Sequence, residues 1–143
     1  MNYTDITKEY VKKALSLGAS DAEVYLESGR ELSIQVHNGE IDTIEEASSA
    51  GIGFRVIVEG KMGFSHCNDM SDESLENTLK RAIEFAKLTT ADEANVLPPA
   101  IEHIAIDGLY DSSIVNIPME DKIEMTLKLE KLALDDPRIS KSS

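Results

Sequence analysis

The spacing of apolar and polar positions changes period along this chain. Ile6, Tyr10, Ala14 and Leu17 recur at steps of four and three, the signature of one helix face. They predict a helix over residues 5–17, capped by Thr4 or Asp5, with Gly18 in the left-handed position just past its end. From residue 22 the period drops to two. Ala22, Val24, Leu26, Leu32, Ile34 and Val36 share one parity, and Glu23, Glu27, Glu31, Gln35 and His37 hold the other. This is a half-buried strand over 22–37, or a strand pair bent at Ser28-Gly29-Arg30. Asn38-Gly39 follows, the dipeptide that best supplies the two positive φ angles of a tight hairpin. Three more strands are predicted, over 40–48, 51–58 and 61–68, with Met62, Phe64 and His66 on one face of the last.

Helical spacing then returns. Ser71 is placed to cap a helix over 72–88, whose stripe is Leu75, Leu79, Ala82, Ile83 and Ala86. Residues 89–99 read as a linker ending in Pro98-Pro99, and 102–106 as a short extended segment. Pro118 suits the first turn of a helix over 118–134, lined by Met119, Ile123, Leu127 and Leu134. The expected fold is therefore α+β. It is an antiparallel four-strand meander with an N-terminal helix and two further helices packed on the sheet, in one domain over residues 1–143.

Charge narrows the function. Against 14 Lys+Arg stand 27 Asp+Glu, a net charge of −13 spread evenly along the 143 residues. Direct contact with nucleic acid needs clustered basic side chains, and docking on anionic lipid needs the same, so both are disfavoured. The apolar runs reach about three residues, far short of the ~20 of a membrane helix. No secretory leader is legible, and the single cysteine, Cys67, excludes an internal disulfide. A cytoplasmic protein is expected.

Candidate chemistry is sparse. The three histidines, His37, His66 and His103, form no HExxH or H-x-H motif. His66 and Cys67 are adjacent on a predicted strand, so they point to opposite faces and do not converge on one metal. No catalytic and no metal-binding residue is assigned. Gly51-Ile52-Gly53 lacks the third glycine and the following helix of a dinucleotide site. Those glycines are instead expected to permit close backbone approach or a bulge within a strand. Arg55 is the one basic residue between Arg30 and Lys61. It is expected to form a structural ion pair with Glu40 or Glu45, with holding a substrate carboxylate or carbonyl as the second role. Arg55 and His66 are the candidate substrate-binding residues.

Several stretches together resemble the TldD/PmbA family. They are Ala14-Leu-Ser-Leu-Gly-Ala-Ser-Asp-Ala-Glu-Val-Tyr25, Leu32-Ser-Ile-Gln-Val-His-Asn-Gly-Glu-Ile-Asp42 and the block from Gly51 to Ser65. Asn68-Asp69-Met70-Ser71 before a Leu/Ala helix, and Asp136-Pro-Arg-Ile-Ser-Lys141 after the last helix, continue the match. The family carries the label of DNA gyrase modulators. The resemblance implies zinc metalloproteases that work as dimers on unfolded peptides. One subunit type bears an HExxxH metal motif, and the PmbA type lacks it and completes the dimer.

This chain contains no HExxxH, so no ligand or catalytic residue carries over. Zinc is expected only in a C-terminal half or in a partner subunit. The long segment with Pro98-Pro99 is closer to the PmbA type. The chain is expected to be the N-terminal part of a longer two-domain protein, and the polar end at Lys141-Ser142-Ser143 fits an excised domain. Its expected role is a non-catalytic scaffold that guides unfolded peptides through main-chain hydrogen bonds at a sheet edge, beside a homo- or hetero-dimer partner. The alternatives are a regulatory protein-binding module of the gyrase-modulator kind and a purely structural domain.

Overall fold

In the computed structural model, residues 2–99, 101, 104 and 106–142 are described. Helix α1 spans Tyr3–Ser16. It starts two residues earlier than the apolar spacing implied, because the Asn2 side chain, not Thr4 or Asp5, accepts the Thr4 N–H at 3.1 Å. Gly18, at φ +100°, ends it in the left-handed conformation expected.

Three strands follow, β1 (Asp21–His37), β2 (Glu40–Val58) and β3 (Lys61–Cys67), in the antiparallel order β1-β2-β3. The expected four-strand meander is thus a three-strand sheet. The segments 40–48 and 51–58 are one 19-residue strand. A two-residue reversal between strands requires residues with positive φ. From Asp21 to Cys67 these sit at Asn38-Gly39 and Glu59-Gly60 and at no position from 48 to 51. The glycines at 51 and 53 therefore stay within the strand.

Contacts divide the chain into two compact units. The first comprises Met1–Gly29 and Ser48–Ile101. Its core follows from strand alternation. Ile52, Phe54 and Val56 of β2 point inward with Ala22, Val24 and Leu26 of β1, while Gly53 and Arg55 take the other parity. Val58 pairs with Lys61 and Ile52 with Cys67, so Gly63 and Ser65 of β3 also face inward. Helix α2 (Asp72–Leu88) has the predicted bounds and lies on β3. Ser71 holds its N-cap position without a side-chain cap bond. Leu75, Leu79, Ala82, Ile83 and Ala86 are its buried stripe, as the spacing required. Tyr10 of α1 tilts against Phe54, with ring centroids 5.5 Å apart. Each large side chain buried here contributes about 1.5–3 kcal/mol.

Strand and helix backbones approach closely at Gly63. A Cβ there would stand 2.0 Å from the Ala82 carbonyl oxygen and 2.4 Å from the Ala86 nitrogen. Small residues on both sides bring the α2 backbone onto the strand. Lys13 of α1 donates to Glu76 of α2 and lies near the face of the Tyr10 ring. Its hydrogen bond holds the Glu76 carboxyl below the usual glutamate range. The pair's contribution is therefore complete above that range and fades as the pH falls through the lowered value. The Tyr10 hydroxyl is pushed up, first by burial.

The second unit comprises Arg30–Ala47, the far part of the β1–β2 hairpin, and Glu102–Ser143. Asn38 and Gly39 have φ of 55° and 77°, the geometry their identities predicted. A single 3₁₀ turn, Ile114–Asn116, precedes helix α3 (Met119–Leu134). Pro118 is the N-cap of α3 rather than its first residue. Ile123 and Leu127 are half-buried, whereas Met119 and Leu134, expected to join them, are exposed. Glu130 is 4% exposed, and its carboxylate accepts the Asn38 and Gly39 N–H groups at 2.9 and 2.8 Å. A helix residue thus completes a turn more than ninety positions upstream in the chain. Arg30 and Glu46 pair across the hairpin. The expected extended segment over 102–106 falls largely outside the described residues, as does His103. No helix among the described residues is long and apolar enough to cross a membrane.

Gly63→Ala should cost about 3 kcal/mol or more, or prevent folding, because the obstructing atoms are backbone. A urea midpoint close to that of the parent chain would contradict this packing. Glu130→Ala should speed amide exchange at Asn38 and Gly39 and cost about 1–3 kcal/mol, since two N–H groups lose a charged acceptor. Exchange measured residue by residue decides it, and unchanged protection at both amides would refute the turn contact.

Candidate functional site

The face of the sheet turned away from α2 carries the side chains that the core does not use. Strand alternation sends Glu23, Tyr25 and Glu27 there from β1, Gly53 and Arg55 from β2, and Met62, Phe64 and His66 from β3. All of them lie within the first unit. Two rings dominate this face, Tyr25 at 63% and Phe64 at 56% exposure. Both are large apolar groups left in solvent beside charged neighbours, an arrangement more common at contact surfaces than elsewhere.

Gly53 explains the posture of Phe64. A Cβ at 53 would meet the Phe64 ring at 3.1 and 3.3 Å, so the ring leans over the glycine. Phe64 also stacks on His66, with centroids 5.8 Å apart and planes at 28°. Two shallow grooves adjoin at these rings, sharing Tyr25, Gly53 and Phe64. One, of about 420 Å³, is bounded by Glu23, Arg55 and Met62. The other, of about 400 Å³, runs past Glu27, Gly51, His66 and Asn68.

Both candidate residues therefore reach the same surface but stand in different grooves. Arg55 forms an ion pair, as expected, but with Glu23 at 2.5 Å rather than with Glu40 or Glu45. Glu40 and Glu45 lie ten or more positions back along β2, in the other unit, while Glu23 comes from the neighbouring strand. With its charge matched, Arg55 is not a free anion receptor. Cys67 is half-buried, and its thiol donates to the Asp69 carbonyl at 3.4 Å. Tyr25 was not singled out from the sequence, and Gly53 was marked there for its backbone, not as a seat for a ring. Tyr25 shares the parity of Glu23 and Glu27, which marked it as outward-facing, but its nearness to Phe64 depends on how three strands align.

Comparison with known proteins bears on this surface. The profile described as PmbA/TldA metallopeptidase domain 1 matches residues 22–86, a span that includes every residue of the two grooves. Over residues 22–86 this chain matches the first domain of the TldD/PmbA family. Among similar proteins, Metalloprotease PmbA of Escherichia coli O157:H7 is 27% identical over 140 residues, covering 94% of this chain and 31% of its own length. An uncharacterized protein of Methanocaldococcus jannaschii is 24% identical over 132 residues, covering 90% and 30% respectively. A Bacteroides thetaiotaomicron protein described as a candidate modulator of DNA gyrase superposes with a TM-score of 0.82 at 26% identity. That match covers 96% of this chain and 32% of the other. TldE of Thermococcus kodakarensis superposes with a TM-score of 0.73 at 19% identity, covering 92% and 29%, a likeness of fold. This chain thus spans about a third of the length of these TldD/PmbA-like proteins.

The family description names a metallopeptidase, which raises the question of a metal in this domain. Among the described residues, no group of three or more His, Cys, Asp or Glu side chains is placed to hold an ion. His66 points outward and is stacked on Phe64, while the Cys67 thiol turns toward a backbone carbonyl. The described residues therefore do not fit a metal centre.

Gly53→Ala should leave the fold intact, within about 1 kcal/mol, because the atoms in the way are the far end of a rotatable side chain. It should displace the Phe64 ring and change the ring-current shifts of His66. Unchanged His66 resonances would show that Gly53 does not set the posture of Phe64.

Proposed function

We propose that this domain is a non-catalytic, substrate-guiding part of a TldD/PmbA-type peptidase subunit that acts on unfolded peptides. In this reading it is the N-terminal part of a longer two-domain protein, of PmbA type, that works beside a dimer partner of the same family. Zinc and the catalytic residues belong to the remainder of the subunit or to the partner. The observation that carries the reading is the outward sheet face. Two exposed aromatic rings stand over adjoining grooves on a strongly acidic chain.

Such a face suits an extended chain. Consecutive outward positions on a strand are roughly 6.6 Å apart, so the grooves on either side of Phe64 can take two side chains of one peptide. Apolar rings accept many side chains, and this tolerance is what a guide for unfolded peptides requires. The sheet edge is the other surface open to an extended peptide. In the Glu59-Gly60 hairpin the narrow pairs include Val58 with Lys61, which turns the backbone N–H of His66 to the outer side of β3.

Calorimetry of the 143-residue chain with short unstructured peptides tests the proposal. Tyr25→Ala together with Phe64→Ala should weaken binding about tenfold or more. Unchanged binding by that double variant would move the site from the face to the edge. Absence of binding by the parent chain would overturn the peptide-guiding role.

A further inference from the structure

The two grooves differ in charge, and the difference points to a kind of ligand side chain. In the groove of about 420 Å³, the Arg55 guanidinium and the Glu23 carboxylate satisfy each other. The groove of about 400 Å³ holds the Glu27 carboxylate, and no lysine or arginine lines it. Glu27 is exposed and two positions along β1 from Tyr25, on the same face. Its only neighbouring donor among the described residues is the Tyr25 hydroxyl, at the long distance of 3.5 Å. It is a carboxylate without a strong partner beside two aromatic rings.

That combination favours a cation. The faces of Tyr25 and Phe64 carry negative quadrupole density, and a carboxylate at the rim adds a full charge. His66, stacked against Phe64, contributes a third ring to the same wall. The net charge of −13 raises the local concentration of basic segments around the whole chain. An anionic side chain would meet Glu27 with no lysine or arginine in the groove lining to offset it.

We propose that the groove bounded by Tyr25, Glu27, Phe64 and His66 receives a lysine or arginine side chain of an extended peptide. The inference rests on the peptide-guiding reading of this face and adds a selectivity to it. The neighbouring groove, whose charges are internally matched, takes a neutral side chain of the same peptide.

The test uses the 143-residue chain and three nonapeptides, Gly-Ser-Val-Ser-X-Ser-Val-Ser-Gly, in which X is lysine, norleucine or glutamate. Calorimetry at low ionic strength should show the lysine peptide binding about 3- to 10-fold tighter than the norleucine peptide, with glutamate weakest. Glu27→Gln should bring the lysine-to-norleucine ratio close to one. Glu84→Gln, on the exposed side of α2, should leave that ratio unchanged. Equal binding of lysine and norleucine, with norleucine binding still dependent on Phe64, would overturn the selectivity and leave the peptide face standing. An equal loss in both glutamate variants would assign the preference to diffuse charge and refute the groove. Failure of all three peptides to bind would overturn the peptide reading and this inference with it.

Discussion

The contact on which the first unit depends is the seating of α2 on β3 at Gly63. No side chain separates the strand from the helix there, because a Cβ would fall 2.0 Å from a helix carbonyl. Ala82 and Ala86 are small for the same reason. This approach decides which face of the sheet is the inner one. Once Gly63 and Ser65 face the helix, Met62, Phe64 and His66 must face solvent, since the side chains of a strand alternate. The candidate binding surface is thus the complement of a packing constraint.

A second constraint acts on the outer face. The hydrophobic effect would ordinarily bury rings the size of Tyr25 and Phe64. The chain instead covers Gly53 with part of Phe64 and leaves the rest to solvent. Charged groups hold the surroundings open. The Glu23–Arg55 pair neutralises itself, and an exposed pair of this kind adds little stability. The carboxylate of Glu27 keeps the other groove polar at its rim. The result is a surface that is apolar at its centre and wet at its edge, the usual anatomy of a recognition patch.

The second unit is organised around a carboxylate. Glu130 is buried yet fully engaged, with one oxygen on each of the two consecutive N–H groups of the Asn38-Gly39 turn. Burying a charge is costly unless it is hydrogen-bonded, and the turn supplies both donors in a fixed geometry. A local motif and a distant helix residue therefore specify one another. In a chain with so many acidic side chains, this one differs from the rest only in where the fold puts it.

By itself the sequence determined the local elements. The 3.6-residue spacing of Leu75, Leu79, Ala82, Ile83 and Ala86 placed α2 to its true ends, and Asn38-Gly39 marked the first hairpin, because both signals depend on near neighbours. Parity also showed that Met62, Phe64 and His66 share a face. Only the tertiary structure decided that residues 40–58 form one strand, since two glycines and small polar residues permit a turn without requiring one. It alone gave Arg55 the Glu23 partner, set Tyr25 beside Phe64 and buried Glu130 under a turn. Each of these joins residues from different elements, so their meeting depends on register and helix placement, which no local pattern encodes.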